Sequence, residues 1–274
     1  MLYLCATPIG NLQDVTLRVL EVLKSAEVVA CEDTRHTRLL LDRYGIRAQL
    51  VSFHDHNEEQ RLAALLPLLR AGKDVALVSD AGMPGLSDPG FSLVRACVAA
   101  GLPVTALPGP SAVSTALVLS GLPADRFAFV GFLARSKAKL VQEVAAFDGT
   151  GAALVAFETP RRIRASLAAL GERWPERRLA VCRELTKVHE EVVRGTAEEV
   201  SAILAEPVRG EIVVVLEPAA AGRGGAAGAE QAARRAVSEL VQAGIGVKRA
   251  AGLVSELTGV SRRELYESGV RVKR

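Results

Sequence analysis

The sequence predicts an α/β protein made of two α/β halves, followed by a small all-helical, basic unit. Along residues 1–217, short apolar runs alternate with amphipathic segments, a rhythm typical of parallel strands joined by covering helices. Residues 218–228 are almost all Ala, Gly and Arg, a composition that builds no core. We therefore expect domains at 1–110 and 111–217, a flexible linker at 218–228 and a helical, helix-turn-helix-like tail at 229–274.

The elements follow from the apolar runs and from the periodicity between them. Strands are expected at residues 2–7, 27–32, 49–53, 74–79, 103–107, 127–131, 152–157, 178–183, 190–194 and 211–216. Helices are expected around residues 19–23, 39–41, 62–69, 91–98, 136–147, 162–170 and 197–204. Asp14 is expected to cap the first helix, and Ser111 to cap the helix that opens the second half.

The loop after the strand at 74–79 is the clearest candidate for a binding site. It spans residues 80–90 and consists mostly of small, turn-forming residues. Ligands of open α/β sheets bind at the carboxyl ends of strands, and Gly82 and Gly85 would let backbone approach a ligand closely. Asp80 and Asp88 could accept hydrogen bonds from hydroxyl or amine groups. The alternative is a loop that only turns the chain.

Composition restricts the class of protein. The chain is 49% hydrophobic with a mean hydropathy of +0.23, yet no apolar run reaches the roughly 18 residues that a membrane span requires. The first residues lack the basic segment of a signal peptide. The four cysteines are scattered without a C-x-x-C pair, which favours reduced thiols over a disulfide framework or a metal site. We expect a cytoplasmic protein.

The basic character of the chain lies in its tail. The formal net charge is +3, and residues 223–274 hold ten Lys and Arg against five Glu. Ala250, Leu253, Val254 and Leu257 predict the buried face of one tail helix. Gly259 is expected to end that helix before a third one begins after residue 261. Such a unit could contact an anionic partner, or its charges could simply be a solvated surface.

Several common sites are not indicated. The sequence has neither a G-x-G-x-x-G after its first strand nor a Walker A loop, which argues against a dinucleotide-dependent dehydrogenase and an NTPase. The segment His54-Asp55-His56 is weak as a metal site because no further His or Cys lies in range. Carboxylates at predicted strand ends could line one crevice, or they could cap helices, most plausibly Asp33 and Glu158.

Eight short motifs occur together in a characteristic order. They are Thr7-Pro8-Ile9-Gly10-Asn11-Leu12, Glu32-Asp33-Thr34-Arg35, His54-Asp55-His56-Asn57-Glu58, residues 79–90, Pro108-Gly109-Pro110-Ser111, Gly131-Phe132-Leu133, Arg183-Glu184-Leu185-Thr186-Lys187 and Arg209-Gly210-Glu211. Through them, residues 2–217 resemble the ribosomal RNA small subunit methyltransferase I family, a branch of the tetrapyrrole methylase-like enzymes. The basic tail is similar to the C-terminal extension of that family.

The resemblance implies a fold of tetrapyrrole-methylase type, with S-adenosyl-L-methionine in the cleft between the halves, in a homodimer. It also implies methylation of a cytidine ribose 2′-hydroxyl in the decoding region of 16S ribosomal RNA within the small subunit. By motif match, the cofactor contacts would be Pro8, Asp80, Ala81, Gly82, Ser87, Asp88, Gly109, Pro110, Ser111, Phe157, Glu158, Gly210 and Glu211. Met83 departs from the small polar residue that is common in its loop.

The acceptor side is expected around the polar residues at two predicted strand ends, Glu32-Asp33-Thr34-Arg35 and Arg183-Glu184. Because a hydroxyl must lose its proton during transfer, the catalytic candidates are Asp33, Glu184 and Lys187, with Asp80 as a further possible base. Phosphates of the RNA would meet Arg35, Arg38, Arg161, Arg162, Lys248, Arg249, Arg262 and Arg263. No metal is expected.

Two other functions fit parts of the sequence. A tetrapyrrole or precorrin methyltransferase would share the fold and the cofactor, but the chain has few aromatic residues for a flat macrocycle. A helix-turn-helix DNA-binding regulator would use the α/β body as a ligand sensor, and the tail alone permits that reading.

Overall fold

The strands form two five-stranded sheets in the part of the chain that the computed structural model describes, residues 1–219 and 226–272. The elements of the first half are β1 (Leu2–Cys5), α1 (Leu17–Ser25), β2 (Val28–Cys31), α2 (Thr34–Arg43), β3 (Leu50–Ser52), α3 (Glu58–Arg70), β4 (Val75–Val78), α4 (Phe91–Ala99) and β5 (Val104–Leu107). Its sheet has the order β3-β2-β4-β1-β5 with every pair parallel. The predicted fold class is confirmed.

Helices cover both faces of the first sheet because alternate strand residues point to opposite sides. Val29 and Cys31 of β2 pack with residues of α1 and α2, whereas Val28 and Ala30 pack with residues of α3 and α4. The cap of α1 differs from expectation. Thr16, not Asp14, accepts the hydrogen bond from the backbone N–H of Val19 at 3.3 Å, since Asp14 belongs to a preceding 3-10 turn.

The second half contains a mixed sheet. Its elements are α5 (Ala112–Ser120), β6 (Phe127–Phe132), α6 (Lys137–Ala145), β7 (Ala153–Glu158), α7 (Ile163–Arg173), β8 (Leu179–Arg183), β9 (Glu191–Gly195), α8 (Ala197–Ile203) and β10 (Ile212–Leu216). The order is β6-β7-β10-β8-β9, and only β6 and β7 are parallel. Ser111 caps α5 as expected.

The tail forms three helices, α9 (Ala226–Gln242), α10 (Val247–Thr258) and α11 (Arg262–Val272). Residues 220–225 of the expected linker lie outside the described residues, and α9 begins before the expected start of the tail. Gly259 ends α10 in the left-handed conformation. Ala250, Ala251 and Val254 are buried, whereas Leu253 and Leu257 are exposed, because small residues form the stripe along which the helices pack. None of the described helices is both long and apolar enough to cross a membrane.

The halves meet at a glycine that follows β1. A Cβ at Gly10 would lie 2.6 Å from Cγ of Lys187 and 2.8 Å from the carbonyl oxygen of Leu185, both in the loop after β8. Ile9, the preceding residue, packs in a core of the second half that also contains Leu117 of α5. The contact therefore has space for a hydrogen atom but not for a methyl group.

The Gly10→Ala substitution should destabilise the body of the protein. Overpacking of this kind costs about 1–3 kcal/mol, and chemical unfolding followed by the fluorescence of Trp174, the single tryptophan, would measure it. Gly246→Ala is the matched control, because a Cβ there meets no atom within 4 Å. Equal unfolding free energies for the two variants would contradict the tight contact.

Candidate functional site

The loops after β1 and β4 are joined at the carboxyl edge of the first sheet. The backbone N–H of Thr7 donates to the carbonyl of Gly82 at 2.9 Å, and the N–H of Gly82 donates back at 3.0 Å. The Thr7 hydroxyl, which is buried, donates to the carbonyl of Ser79 at 3.0 Å. This pairing fixes the loop at 80–90 beside the segment that begins with Pro8.

A cavity of about 330 Å³, here called the first cavity, lies between the halves. Its walls come from the loop after β4, the start of α5, and the edges of β6, β7 and β10. Of the residues expected to bind cofactor, those that line it are Ala81, Gly82, Ser87, Asp88, Ser111, Phe157, Glu158, Gly210 and Glu211. Pro8 and Asp80 line a neighbouring cavity instead. Gly109 and Pro110 line neither; a Cβ at Gly109 would lie 2.9 Å from Cβ of Ala6, so this glycine serves packing.

Aromatic residues form one wall of the first cavity, a feature that the sequence analysis missed. Phe129 and Phe132 of β6 line it together with Phe157 of β7. The ring centroids of Phe129 and Phe157 are 4.9 Å apart, and those of Phe132 and Phe157 are 5.5 Å apart. The sequence offered one signal, because phenylalanine is rare in this chain and four of its seven phenylalanines lie in two strands that pair with each other.

A second cavity of about 430 Å³ adjoins the first. It is bounded by α2 and by the loops after β1 and β4, and it shares Ile9, Ala81 and Glu211 with the first cavity. Its polar lining includes Asp80, His36 and Lys187, and its apolar lining includes Leu12, Leu39 and Leu40. The two cavities thus meet at three residues.

Lys187 is held between two carboxylates beside this junction. Its ammonium lies 2.9 Å from Oε1 of Glu184 and 3.1 Å from Oε2 of Glu211. The hydrogen bond with Lys187 lowers the pKa of Glu184 below its ordinary value. Partial burial opposes the charge of Lys187, but the hydrogen bonds with Glu184 and then Glu211 outweigh it and raise the pKa of Lys187. A lysine that is held protonated cannot accept a proton, and a carboxylate with a lowered pKa accepts one poorly, so neither group is well suited to act as a general base.

Asp33 has the capping role that was its alternative. Its carboxylate accepts the backbone N–H of Arg35 at 2.8 Å as the N-cap of α2, and it pairs with the Arg35 guanidinium at 2.6 Å. The hydrogen bonds from Arg35 hold the pKa of Asp33 well below its usual range. A carboxylate stabilised in this way is a poor proton acceptor.

Other carboxylates gather at the ends of β2 and β4 without such partners. Burial, followed by the charge of Glu32, raises the pKa of Asp88 to about 6. Burial and then the charge of Asp80 raise the pKa of Glu32. Oδ1 of Asp80 accepts the backbone N–H of Asp33 at 3.2 Å. The clustered negative charges repel one another and give the cavity edge a negative potential. A negative potential favours a cationic ligand.

The side chain of Arg162, expected to bind RNA, makes contacts within the protein. Its guanidinium lies 3.0 Å from the buried carboxylate of Glu158 and also donates to the carbonyl of Leu133. Ser166 donates to the same carboxylate at 2.5 Å. Arg162 is thus part of an internal network. The carboxylate of Glu158 is bound to Arg162 and Ser166, while the residue itself lines the first cavity.

The remaining cations expected to bind RNA are exposed. Arg35 and Arg38 lie on α2, Arg161 follows β7, Lys248 and Arg249 begin α10, and Arg262 and Arg263 begin α11. Arg35 pairs with Asp33 and Arg263 with Glu267. Near β3, the ring of His54 lies 3.1 Å from the side-chain amide of Asn57, and the described residues contain no cluster of three metal-ligating side chains.

Family models match both parts of the chain. Residues 1–201 match the model described as Tetrapyrrole (Corrin/Porphyrin) Methylases, and residues 226–271 match that of the RsmI C-terminal HTH domain. Among solved structures, uroporphyrin-III-C-methyltransferase from Thermus thermophilus is similar with a TM-score of 0.56 and 26% identity, over 81% of this chain and 96% of that one. A structure of the Thermus thermophilus enzyme complexed with S-adenyl homocysteine shares the fold with a TM-score of 0.55 at 23% identity, over 79% of this chain and 96% of that one.

Closer sequence relatives share one name. The chain is 47% identical to Ribosomal RNA small subunit methyltransferase I of Micromonospora olivasterospora, covering 97% of this chain and 85% of the relative. It is 42% identical to the protein of the same name from Escherichia coli O157:H7, covering 97% of this chain and 93% of the relative. As its motifs predict, the chain belongs to the tetrapyrrole methylase family, in its ribosomal RNA small subunit methyltransferase I branch.

Proposed function

We propose that the protein transfers a methyl group from S-adenosyl-L-methionine to the ribose 2′-hydroxyl of a cytidine in the decoding region of 16S ribosomal RNA. The observation that carries the proposal is identity of 47% over 97% of the chain to a relative named for the small-subunit RNA, against 26% for the uroporphyrin enzyme. The basic three-helix tail gives the body a further surface for a polyanion.

The residues of the first cavity fit the cofactor. Its volume lies within the roughly 300–1,000 Å³ of small-molecule pockets. The phenylalanine wall suits the flat adenine, and the Asp88 carboxylate suits the positive charges of the sulfonium and amino groups. Gly82, with φ of +81°, lines the cavity and allows backbone to approach the ligand without steric obstruction. The bound cofactor would supply the activated methyl group.

To test this function, the protein is incubated with labelled S-adenosyl-L-methionine and one of three acceptors: small ribosomal subunits, their naked RNA or a corrin precursor. The proposal expects label in RNA, at one ribose whose neighbouring phosphodiester resists alkali. Label in the corrin precursor alone would identify a tetrapyrrole methyltransferase. Cofactor binding without transfer, together with sequence-specific binding of duplex DNA, would favour the regulator.

The resemblance also implies a homodimer, which sedimentation of the purified protein would test. A single species with the 29.0 kDa mass of one chain would contradict it.

Cofactor affinity should depend on the ionisation of Asp88. Burial raises the pKa of Asp88 to about 6. The carboxylate is therefore almost fully ionised above pH 7 and attracts a sulfonium there, and this attraction is lost as the carboxylate is protonated below pH 6. We expect about tenfold tighter binding of S-adenosyl-L-methionine at pH 7.5 than at pH 5, and a smaller change for S-adenosyl homocysteine, which lacks the sulfonium charge. Titration calorimetry measures both.

The Asp88→Asn variant should lose this pH step, whereas Asp125→Asn, an exposed aspartate outside both cavities, should keep it. Equal pH dependence in both variants would contradict a direct role for Asp88.

Phe132 should contribute to binding of the adenine. Aromatic stacking on a base is worth about 1–3 kcal/mol, so Phe132→Ala should weaken binding of 5′-methylthioadenosine and of the full cofactor by about 5- to 150-fold. Phe127→Ala is the matched control, because Phe127 lies on the same strand with 51% exposure against 53% for Phe132 but outside the cavity. Equal affinities for the two variants would place the adenine elsewhere.

The tail should carry part of the electrostatic contact with RNA. Each lost phosphate contact reduces the slope of log affinity against log salt by about 0.7–0.9, so replacing Lys248 and Arg249 by Gln should lower it by up to about 1.8. Replacing Arg70 and Arg95, exposed on α3 and α4, removes the same charge from the body as a control. Filter binding at several salt concentrations measures the slopes, and identical slopes would contradict a role for these two residues.

A further inference from the structure

The second cavity differs from the first in its lining and opens beside it. We propose that it receives the acceptor nucleoside, whose 2′-hydroxyl then lies at the junction formed by Ile9, Ala81 and Glu211. This inference rests on the proposed function and adds where the substrate binds and which residues handle its proton.

The lining matches the two parts of a nucleoside. One part of the wall is apolar, from Leu12, Leu39 and Leu40, and would contact the faces of a base. The other part carries Asp80 and Lys187, groups that bind sugar hydroxyls. Leu39 is 63% exposed although it lines the cavity, so an inserted base would cover apolar surface that is now in water.

The outer face of α2 suits the flanking backbone. Arg35, Arg38 and Leu39 lie at i, i+3 and i+4 and therefore share one side of the helix. Arg38 is exposed and makes no ion pair with any described residue. A phosphate beside the target nucleotide could be bound there. The nucleotide must leave its stack to reach the cavity, as the substrates of other base-accessing enzymes do.

Asp80 is the carboxylate best placed to take the proton. Asp33 and Glu184 are each neutralised by a cation, whereas Asp80 has no ion-pair partner among the described residues. Its carboxylate is oriented by the N–H of Asp33, and the next residue, Ala81, lies at the junction. Lys187, fixed by Glu184 and Glu211, would position the sugar as a hydrogen-bond donor.

The step balances with these groups alone. The ribose oxygen forms a bond to the methyl carbon as the carbon–sulfur bond breaks, and the electron pair of that bond passes to sulfur, leaving a neutral thioether. The hydroxyl proton passes to the carboxylate of Asp80 and then to water. No oxidant or further co-reactant is required.

Two variants separate binding from chemistry in steady-state transfer to small subunits. Leu39→Asn should raise KM for subunits about tenfold with kcat and cofactor affinity unchanged. Val98→Asn, at a residue 67% exposed on α4, is the matched control and should leave KM unchanged. Asp80→Asn should lower kcat about 100-fold and retain cofactor binding, while Asp80→Glu should restore part of the rate.

The outcomes distinguish this inference from the proposed function. Transfer to RNA by the wild type with an unchanged KM in Leu39→Asn would overturn the cavity assignment alone. An unchanged kcat in Asp80→Asn would overturn its role as base. Transfer by the wild type to a corrin precursor and not to RNA would overturn both the proposed function and the nucleoside cavity.

Discussion

The contact between the two halves depends on how closely the loops after β1 and β8 approach. Gly10 lies against the backbone of the β8–β9 loop with no space for a Cβ, and Ile9 beside it packs in the core of the second half. The hydrogen-bonded pair of Thr7 and Gly82 extends this arrangement to the loop after β4. Because the same three loops line both cavities, the packing that joins the halves also sets the distance between the cavities.

The carboxylates at the site form two groups that differ in the charge of their neighbours. Asp33 and Glu184 lie close to cations, and this contact lowers the pKa of each. The carboxylates of Glu32 and Asp88 are instead partly buried near other carboxylates, and the pKa of each is raised. Local geometry therefore separates acidic residues that look equivalent in the sequence. Such separation of pKa values is a common feature of functional sites.

The sequence was a good guide wherever the signal was local. The alternation of strands and helices, the cap at Ser111 and the end of α10 at Gly259 depend on residues close in the chain, and each was predicted. The strand order of the second sheet was harder to predict from the sequence. In this sheet β10 lies between β7 and β8, and pairing between strands that are distant in the chain leaves no local sequence pattern. The ion pairs of Asp33 and Arg162 were not predicted for a related reason: they depend on how α2 and α7 begin. The phenylalanine wall forms only when the ends of β6 and β7 lie side by side.

The most direct test of this account is a crystal structure of the full chain with S-adenosyl homocysteine. We expect the ligand to occupy the first cavity with its sulfur at the junction near Ala81 and Glu211, open toward Asp80 in the second cavity. A ligand bound in the second cavity, or one whose sulfur points away from the junction, would contradict it.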